Sequence, residues 1–346
     1  MARSPLTLAA LATSAVAGLD VVRTARFGYG TQGDFDSALI HAPDGRELVV
    51  RVPTTKVAET EQTADLAALR TLSAGVRARL PFQVATFLGE APISPTRAYV
   101  YELLPGRPVA LGDIPAGDGL AASIGRAVAA VHSLPTAFVA DAGLPVASAS
   151  DVQRAAANLV DTASGTGLVP ASLLARWEKA LGDGSLWQFQ PAVVNGSLRA
   201  SSFLADGGHV TAVLGWSELR VGDPARDLNW VLGARDHHVP ESVLSAYHNA
   251  RQVTVDRRLT QRATLYAELE VARWLLHGTE THNRAITDDA VSMLDALVDS
   301  VHSDVRTPIS SETPPAMDLN EVEKMLDTHR QPSNDSDHND RRSLSE

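Results

Sequence analysis

Residues 193–204 read Val193-Val-Asn195-Gly196-Ser197-Leu198-Arg-Ala-Ser201-Ser202-Phe203-Leu204, and residues 214–228 read Leu214-Gly215-Trp216-Ser-Glu218-Leu-Arg-Val-Gly222-Asp223-Pro224-Ala225-Arg226-Asp227-Leu228. Between residues 190 and 216 lie two apolar runs, Ala192-Val-Val and Val210-Thr-Ala-Val-Leu214. Asp206-Gly-Gly separates them and supplies turn chemistry, since glycine reaches positive φ without steric cost. Short strands and loops are therefore expected here, in a part of the chain that is otherwise helical.

Residues 21–110 read as β-rich with one helix. Asp36-Ser-Ala-Leu-Ile-His and Glu47-Leu-Val-Val-Arg51-Val flank Pro43-Asp44-Gly45-Arg46, two β-prone runs about a turn, which predicts a hairpin. Glu59 to Leu72 places Leu66, Leu69 and Leu72 at helical spacing. Ala98-Tyr-Val-Tyr-Glu-Leu-Leu104 is a candidate buried strand, closed by Pro105-Gly106-Arg107-Pro108. From about residue 117 helices dominate: Ile124–Leu134 ended by Pro135, Ala171–Leu181, Leu259–Glu280 with Leu265, Leu269, Ala272 and Leu276 inward, and Val291–Val301. Beyond about residue 303 the composition turns to Pro, Ser, Asp and Asn, which predicts a disordered tail with at most a short helix at Asp318–Thr328. Asp335-x-Asp337-x-Asn339 has the spacing of a calcium loop, but Asp340 stands where that loop needs glycine.

The chain has 346 residues, 44% hydrophobic and 21% charged, enough for two lobes of a folded protein. Its formal charge of -11 argues against a nucleic-acid surface or an anionic membrane surface, each of which needs a cationic face. The absence of cysteine removes disulfides, thiolate metal sites and a thiol nucleophile. The apolar run Leu6–Leu19 reads either as a short signal peptide or as a first helix packed on the small lobe. The second reading is preferred, and a cytoplasmic location is expected.

The first quoted segment resembles the catalytic loop of aminoglycoside and macrolide phosphotransferases, usually His-Gly-Asp-Leu-His-x-x-Asn. The second is similar to that family's Ile-Asp-Trp-x-x-Ala-x-x-Gly-Asp-Pro-x-x-Asp-Leu. Ala98–Pro108 resembles the family's hinge, and Ala129-Ala-Val-His132-Ser-Leu-Pro its helix before the loop. Phe35-Asp36-Ser-Ala with Val49-Val-Arg51-Val-Pro53 is nearest the macrolide branch. The resemblance covers roughly residues 20–302. It implies an α+β, bilobal, protein-kinase-like fold with a small β-rich N-lobe and a larger, mainly helical C-lobe. The boundaries expected are residues 1–19 for an N-terminal helix, 20–108 for the N-lobe, 109–302 for the C-lobe and 303–346 for the tail.

The departures carry the functional reading. Ser197 stands at the position of the catalytic Asp, and a hydroxyl is no base near neutral pH. Asn195 replaces the leading His. Ser202 and Gly215 occupy the usual metal-ligand positions, so no metal residue is assigned and magnesium is not expected to be held. Arg51, rather than Lys56, falls where a lysine would hold nucleotide phosphates, and Asp65 falls where a helix Glu would pair with it. With Gly30 and Gly33 of the glycine-rich stretch Gly28–Gly33, these are the candidate nucleotide contacts, for weak binding of ATP or GTP. Asp223 and Asp227 are expected to hold loops. Glu218 and Asp206 are the nearest acids that could stand in at a metal. His237-His238 is read as a surface loop without a further ligand at helical spacing. Trp274 and His277, in the long helix, are read as core or groove-lining positions and as the candidates for any ligand contact.

Two functions follow. The first is a pseudoenzyme of this family, a pseudokinase in effect, whose cleft binds a small molecule or a protein partner. The alternative is an active ATP- or GTP-dependent phosphotransferase acting on a macrolide-like or sugar-like hydroxyl.

Overall fold

The computed structural model describes residues 3–28, 33–251, 256–303 and 309. In chain order its elements are α1 (Pro5–Ala15), β1 (Arg23–Arg26), β2 (Phe35–His41), β3 (Glu47–Pro53), α2 (Lys56–Thr71), α3 (Ala74–Arg77), β4 (Gln83–Val84), β5 (Phe87–Ile93), β6 (Thr96–Glu102) and β7 (Arg107–Pro108). There follow α4 (Leu120–His132), α5 (Ala137–Asp141), α6 (Ala149–Ser164), α7 (Ala171–Gly182), β8 (Ala192–Val194), β9 (Phe203–Asp206), β10 (His209–Val213), β11 (Arg220–Gly222), α8 (His238–Ala250), α9 (Leu259–Glu280) and α10 (Arg284–Ser303). This is the mixed α+β arrangement expected, a small antiparallel sheet lobe followed by a mainly helical part.

The small lobe is a five-stranded antiparallel sheet in the order β1-β2-β3-β6-β5. The hairpin expected about Pro43-Asp44-Gly45 joins β2 to β3, with Leu39 opposite Val49 and Ser37 opposite Arg51. Strand alternation then sorts the side chains onto two faces. Leu48, Val50 and Val52 pack with Ile40, Val100 and the α1 residues Leu8, Ala9 and Ala12 on the outer face. The next residues along, Val49 and Arg51, face the other way with Tyr101 and line the cleft. The apolar run at residues 6–19 is thus largely a helix packed on the sheet. α2 begins at the Thr55 cap, whose hydroxyl accepts the Ala58 amide, and carries Asp65 toward the cleft.

The helical part has two apolar clusters. One joins α4 and α8 to the strands beneath the cleft. The other is built by α6, α7, α9 and α10 around the buried Trp177, with Ile309 packed into it. β9 and β10 form the hairpin about Asp206-Gly-Gly, flanked by β7 and β4, and β8 pairs with β11. α9 covers the residues its periodicity predicts, although Leu275 rather than Leu276 is fully buried. The proposed tail at residues 303–346, its short helix and its calcium-like spacing lie outside the described residues apart from Ser303 and Ile309. Among the described residues no helix is long and apolar enough to cross a membrane.

Candidate active site

A cavity of about 120 Å³ opens between the inner face of the sheet and the β9–β10 hairpin. Val49, Ala85, Leu104, Leu204 and Trp216 supply its apolar walls, and Arg51, Glu61, Asp65 and Glu102 its charges. The register of β3 places Arg51 here, on the same face as Val49 and opposite Ser37. Its guanidinium carbon lies 3.9 Å from the centre of the Phe35 ring, a cation–π contact. Burial pulls Arg51 below the usual arginine range, and the Asp65 carboxylate opposes that shift. Lys56 is exposed and pairs with Glu59 at the start of α2, outside the cleft.

Asp65 does not make the ion pair that its position implies. Its Oδ1 instead accepts the backbone amide of Trp216 at 2.6 Å, and no Arg51–Asp65 contact of salt-bridge length occurs among the described residues. Burial raises the Asp65 pKa, with the Trp216 amide and then Arg51 pulling the other way. Beside it the Gln62 amide donates to the Tyr101 hydroxyl at 2.7 Å, while Gln62 Oε1 is buried without a partner. Burial foremost, then Asp65, pushes the Tyr101 phenol well above its ordinary value. A backbone partner leaves no trace in sequence, so the Asp65–Trp216 bond could not be read there.

The loop after β8 is held from beneath by Asp227, which is fully buried. Its carboxylate accepts the amides of Asn195 and Gly196, both at 2.7 Å, and His132 Nε2 at 3.1 Å. A ring that donates from Nε2 leaves Nδ1 to accept the Tyr247 hydroxyl at 2.9 Å, so a neutral His132 satisfies both. Gly196 has φ +89°, and a Cβ there would stand 2.5 Å from the Glu218 carbonyl oxygen, so both conformation and space require glycine. Asp223 is held as firmly. Arg262 Nε donates to it at 2.7 Å, Nη2 at 3.1 Å and the Tyr266 hydroxyl at 2.8 Å. Burial works against the Arg262 charge, and Asp223 with Asp256 more than offsets it, holding the guanidinium above its ordinary range.

Hydrogen bonds tie together the segments that carry Ser197, Ser202 and Gly215. Asn195 donates from Nδ2 to the Gly215 carbonyl at 2.7 Å, and the Leu214 amide donates to the Ser202 carbonyl at 2.8 Å. Ser197 is half-buried, its hydroxyl 3.3 Å from Asn195 Oδ1. Ser202 Oγ accepts the Arg199 amide at 3.3 Å. Gly215 has φ +72° and open space where a side chain would point. Magnesium takes oxygen ligands and favours one or two carboxylates. Positions 197, 202 and 215 offer two hydroxyls already engaged and no carboxylate, so the residues do not fit the ion. Glu218 Oε2 is paired with Arg220, and Asp206 is exposed at the hairpin turn.

Other expectations fare differently. Gly30 lies outside the described residues. Gly33, at φ +112°, accepts the Thr54 hydroxyl and borders a separate hollow with Arg3, Asp36 and Lys56, away from the cleft. Trp274 is exposed rather than core, stacked on His277 with its Nε1 donating to Asp289 at 2.9 Å. Asp236, His237 and His238 present ligand atoms within 4.8 Å of one another, exposed at the start of α8. Glu241, one turn on, accepts from His238 Nδ1 at 3.1 Å, which supplies the helical-spacing partner that the sequence reading did not find.

Comparison with known proteins agrees with this architecture. The family model described as the phosphotransferase enzyme family matches residues 30–300. Macrolide 2'-phosphotransferase MphH from Brachybacterium faecium superposes with a TM-score of 0.70 at 25% identity, covering 84% of this chain and 98% of its own. A type I macrolide 2'-phosphotransferase gives 0.67 at 23% identity, covering 85% of this chain and 98% of its own. The GDP complex of aminoglycoside 2'-phosphotransferase-IIIa gives 0.68 at 14% identity, over 85% and 98%. An uncharacterized protein of Bacillus subtilis (strain 168), YcbJ, is 26% identical over 208 residues, which span 56% of this chain and 65% of that relative.

Proposed function

The chain belongs to the phosphotransferase enzyme family, and from that premise we propose that it is a pseudoenzyme, binding a ligand or partner through its cleft without magnesium-dependent phosphoryl transfer. One observation carries the reading: a serine, a serine and a glycine meet where the reaction needs a base and two metal ligands, while the loop that presents them keeps its anchors. Losing a positioned base alone costs roughly 10²–10⁴ in rate, and the metal clamp is missing as well. The cleft itself suits a flat apolar group, with Arg51 as the cation in its lining that would meet an anionic end. Its apolar walls would take the base of a nucleotide, and Arg51 would face phosphate. Related structures hold GDP or ADP, which supports a nucleotide as the first ligand to try. The cytoplasm is the compartment this reading assumes, and the partner is a small molecule or a protein.

The test is thermal denaturation with ATP, with ATP plus magnesium, and with coupled detection of ADP release. ATP alone is expected to raise the melting temperature, magnesium to add nothing, and no ADP to appear with macrolide or sugar acceptors. Metal-dependent stabilisation accompanied by ADP release would establish the alternative, an active phosphotransferase. Ser197→Asp combined with Gly215→Asp has room for the second carboxylate, at a conformational cost of about 1–2 kcal/mol for leaving glycine at positive φ. A magnesium-dependent shift gained only in that double variant marks descent from a metal-using ancestor.

A further inference from the structure

Three arginines gather beside the loop that carries Ser197. Arg226 lies in the short turn Pro224–Asp227 and approaches the Gly196 carbonyl with Nε at 3.3 Å. Arg220 stands in β11 opposite Val194, immediately before the loop, and pairs with Glu218, whose backbone presses on Gly196. Arg273 arrives from α9, and Glu270 Oε1 lies between it and Arg226, 3.4 Å from Arg273 Nε and 4.0 Å from Arg226 Nη2. Arg273 Nε is buried and forms no hydrogen bond. Three guanidiniums thus share two carboxylates. Burial first, and then Arg226, pulls both Arg220 and Arg273 below the ordinary arginine range, and Arg220 adds to the shift of Arg273.

Folding alone gives no reason to crowd like charges at the mouth of a loop, and guanidinium forks match the oxygens of a phosphate group. We propose that Arg220, Arg226 and Arg273 form a binding site for a phosphate group next to Ser197, supplying from side chains the positive charge that a divalent cation would bring. The proposal rests on the reading of the cleft as a metal-free binding site. Two sources carry this chemistry: the terminal phosphate of a nucleotide in the cleft, or a separate phosphorylated ligand on the helical side.

Inorganic phosphate, titrated calorimetrically into the full chain at low salt, tests the site. Arg273→Gln is expected to weaken binding roughly tenfold, by loss of one charge-assisted fork. Glu270→Gln is expected to tighten it, because two arginines are released from a competing carboxylate, and a gain cannot arise from misfolding. No phosphate binding to the native chain, or equal binding in both variants, overturns the site. Repeating the titration with saturating ADP and with saturating ATP separates the sources. Competition by ATP alone assigns the phosphate to the nucleotide, and binding retained with both assigns it to a second ligand; either result supports the site. ADP titrated alone reports on the cleft, so absent ADP binding with intact phosphate binding would sink the cleft reading and spare this one.

Discussion

Asp223 and Asp227 stand beside Ser197, Ser202 and Gly215, yet the two groups have met opposite fates. The two carboxylates are buried, and their partners belong to the chain itself: Arg262, Tyr266, His132 and the amides of residues 195, 196 and 225. In an active phosphotransferase, the three replaced positions would instead have partners that come and go, a metal ion and a substrate hydroxyl. Substitution at the first group leaves buried donors unsatisfied and costs folding. Substitution at the second costs only the reaction. A chain released from catalysis would keep the first and lose the second, which is what the proposed pseudoenzyme requires.

The contrast is open to attack from both sides. Arg262→Met leaves Asp223 charged and buried without its main partner, and should cost about 3–5 kcal/mol of stability in a urea titration. Asp227→Ala strands two buried amides and His132, each worth about 1–3 kcal/mol, and should cost at least about 3 kcal/mol. Ser197→Ala removes one long hydrogen bond while the Ser197 amide keeps Asn195 Oδ1, and should change stability by at most about 1 kcal/mol. A Ser197→Ala loss as large as that of Asp227→Ala would place position 197 among the anchors and break the comparison.

Asp65 gives the smallest and most specific effect. Burial raises its pKa in the folded state, so the folded chain binds more protons than the unfolded one between the ordinary carboxylate pKa and the raised value. That contribution to stability is fully present below the ordinary value and is lost as pH rises through the folded one. Asp65→Asn keeps an oxygen for the Trp216 amide and should flatten that decline. Melting temperatures of both forms, compared at steps upward from pH 4, check the sign; parallel curves would show that Asp65 is not desolvated.

Much of this arrangement was legible in the sequence, for reasons that differ by element. The bounds of α9 were legible because large apolar side chains recur at helical spacing, although Leu275 rather than Leu276 is its buried residue, whereas α6 was missed because it buries Ala156, Val160 and Ala163, too small to mark a stripe. Pro240, in the first turn of α8, similarly disguises that helix. The β2–β3 turn fixed the register, and the register put Arg51 rather than Lys56 in the cleft. That Gly33 borders the hollow with Arg3 and Lys56 could not be read, because a glycine cluster has no side-chain pattern to say which hollow it lines. The arginine group was invisible, since Arg226 and Arg273 lie far apart in the chain and meet only through the packing of α9.

The central claim, a nucleotide-shaped cleft that no longer holds magnesium, is tested most directly by calorimetric titration of ATP with magnesium and with a chelator. The account predicts measurable binding with equal affinity, within about twofold, in the two conditions. At least tenfold tighter binding with magnesium, a gain of about 1.4 kcal/mol, would contradict it.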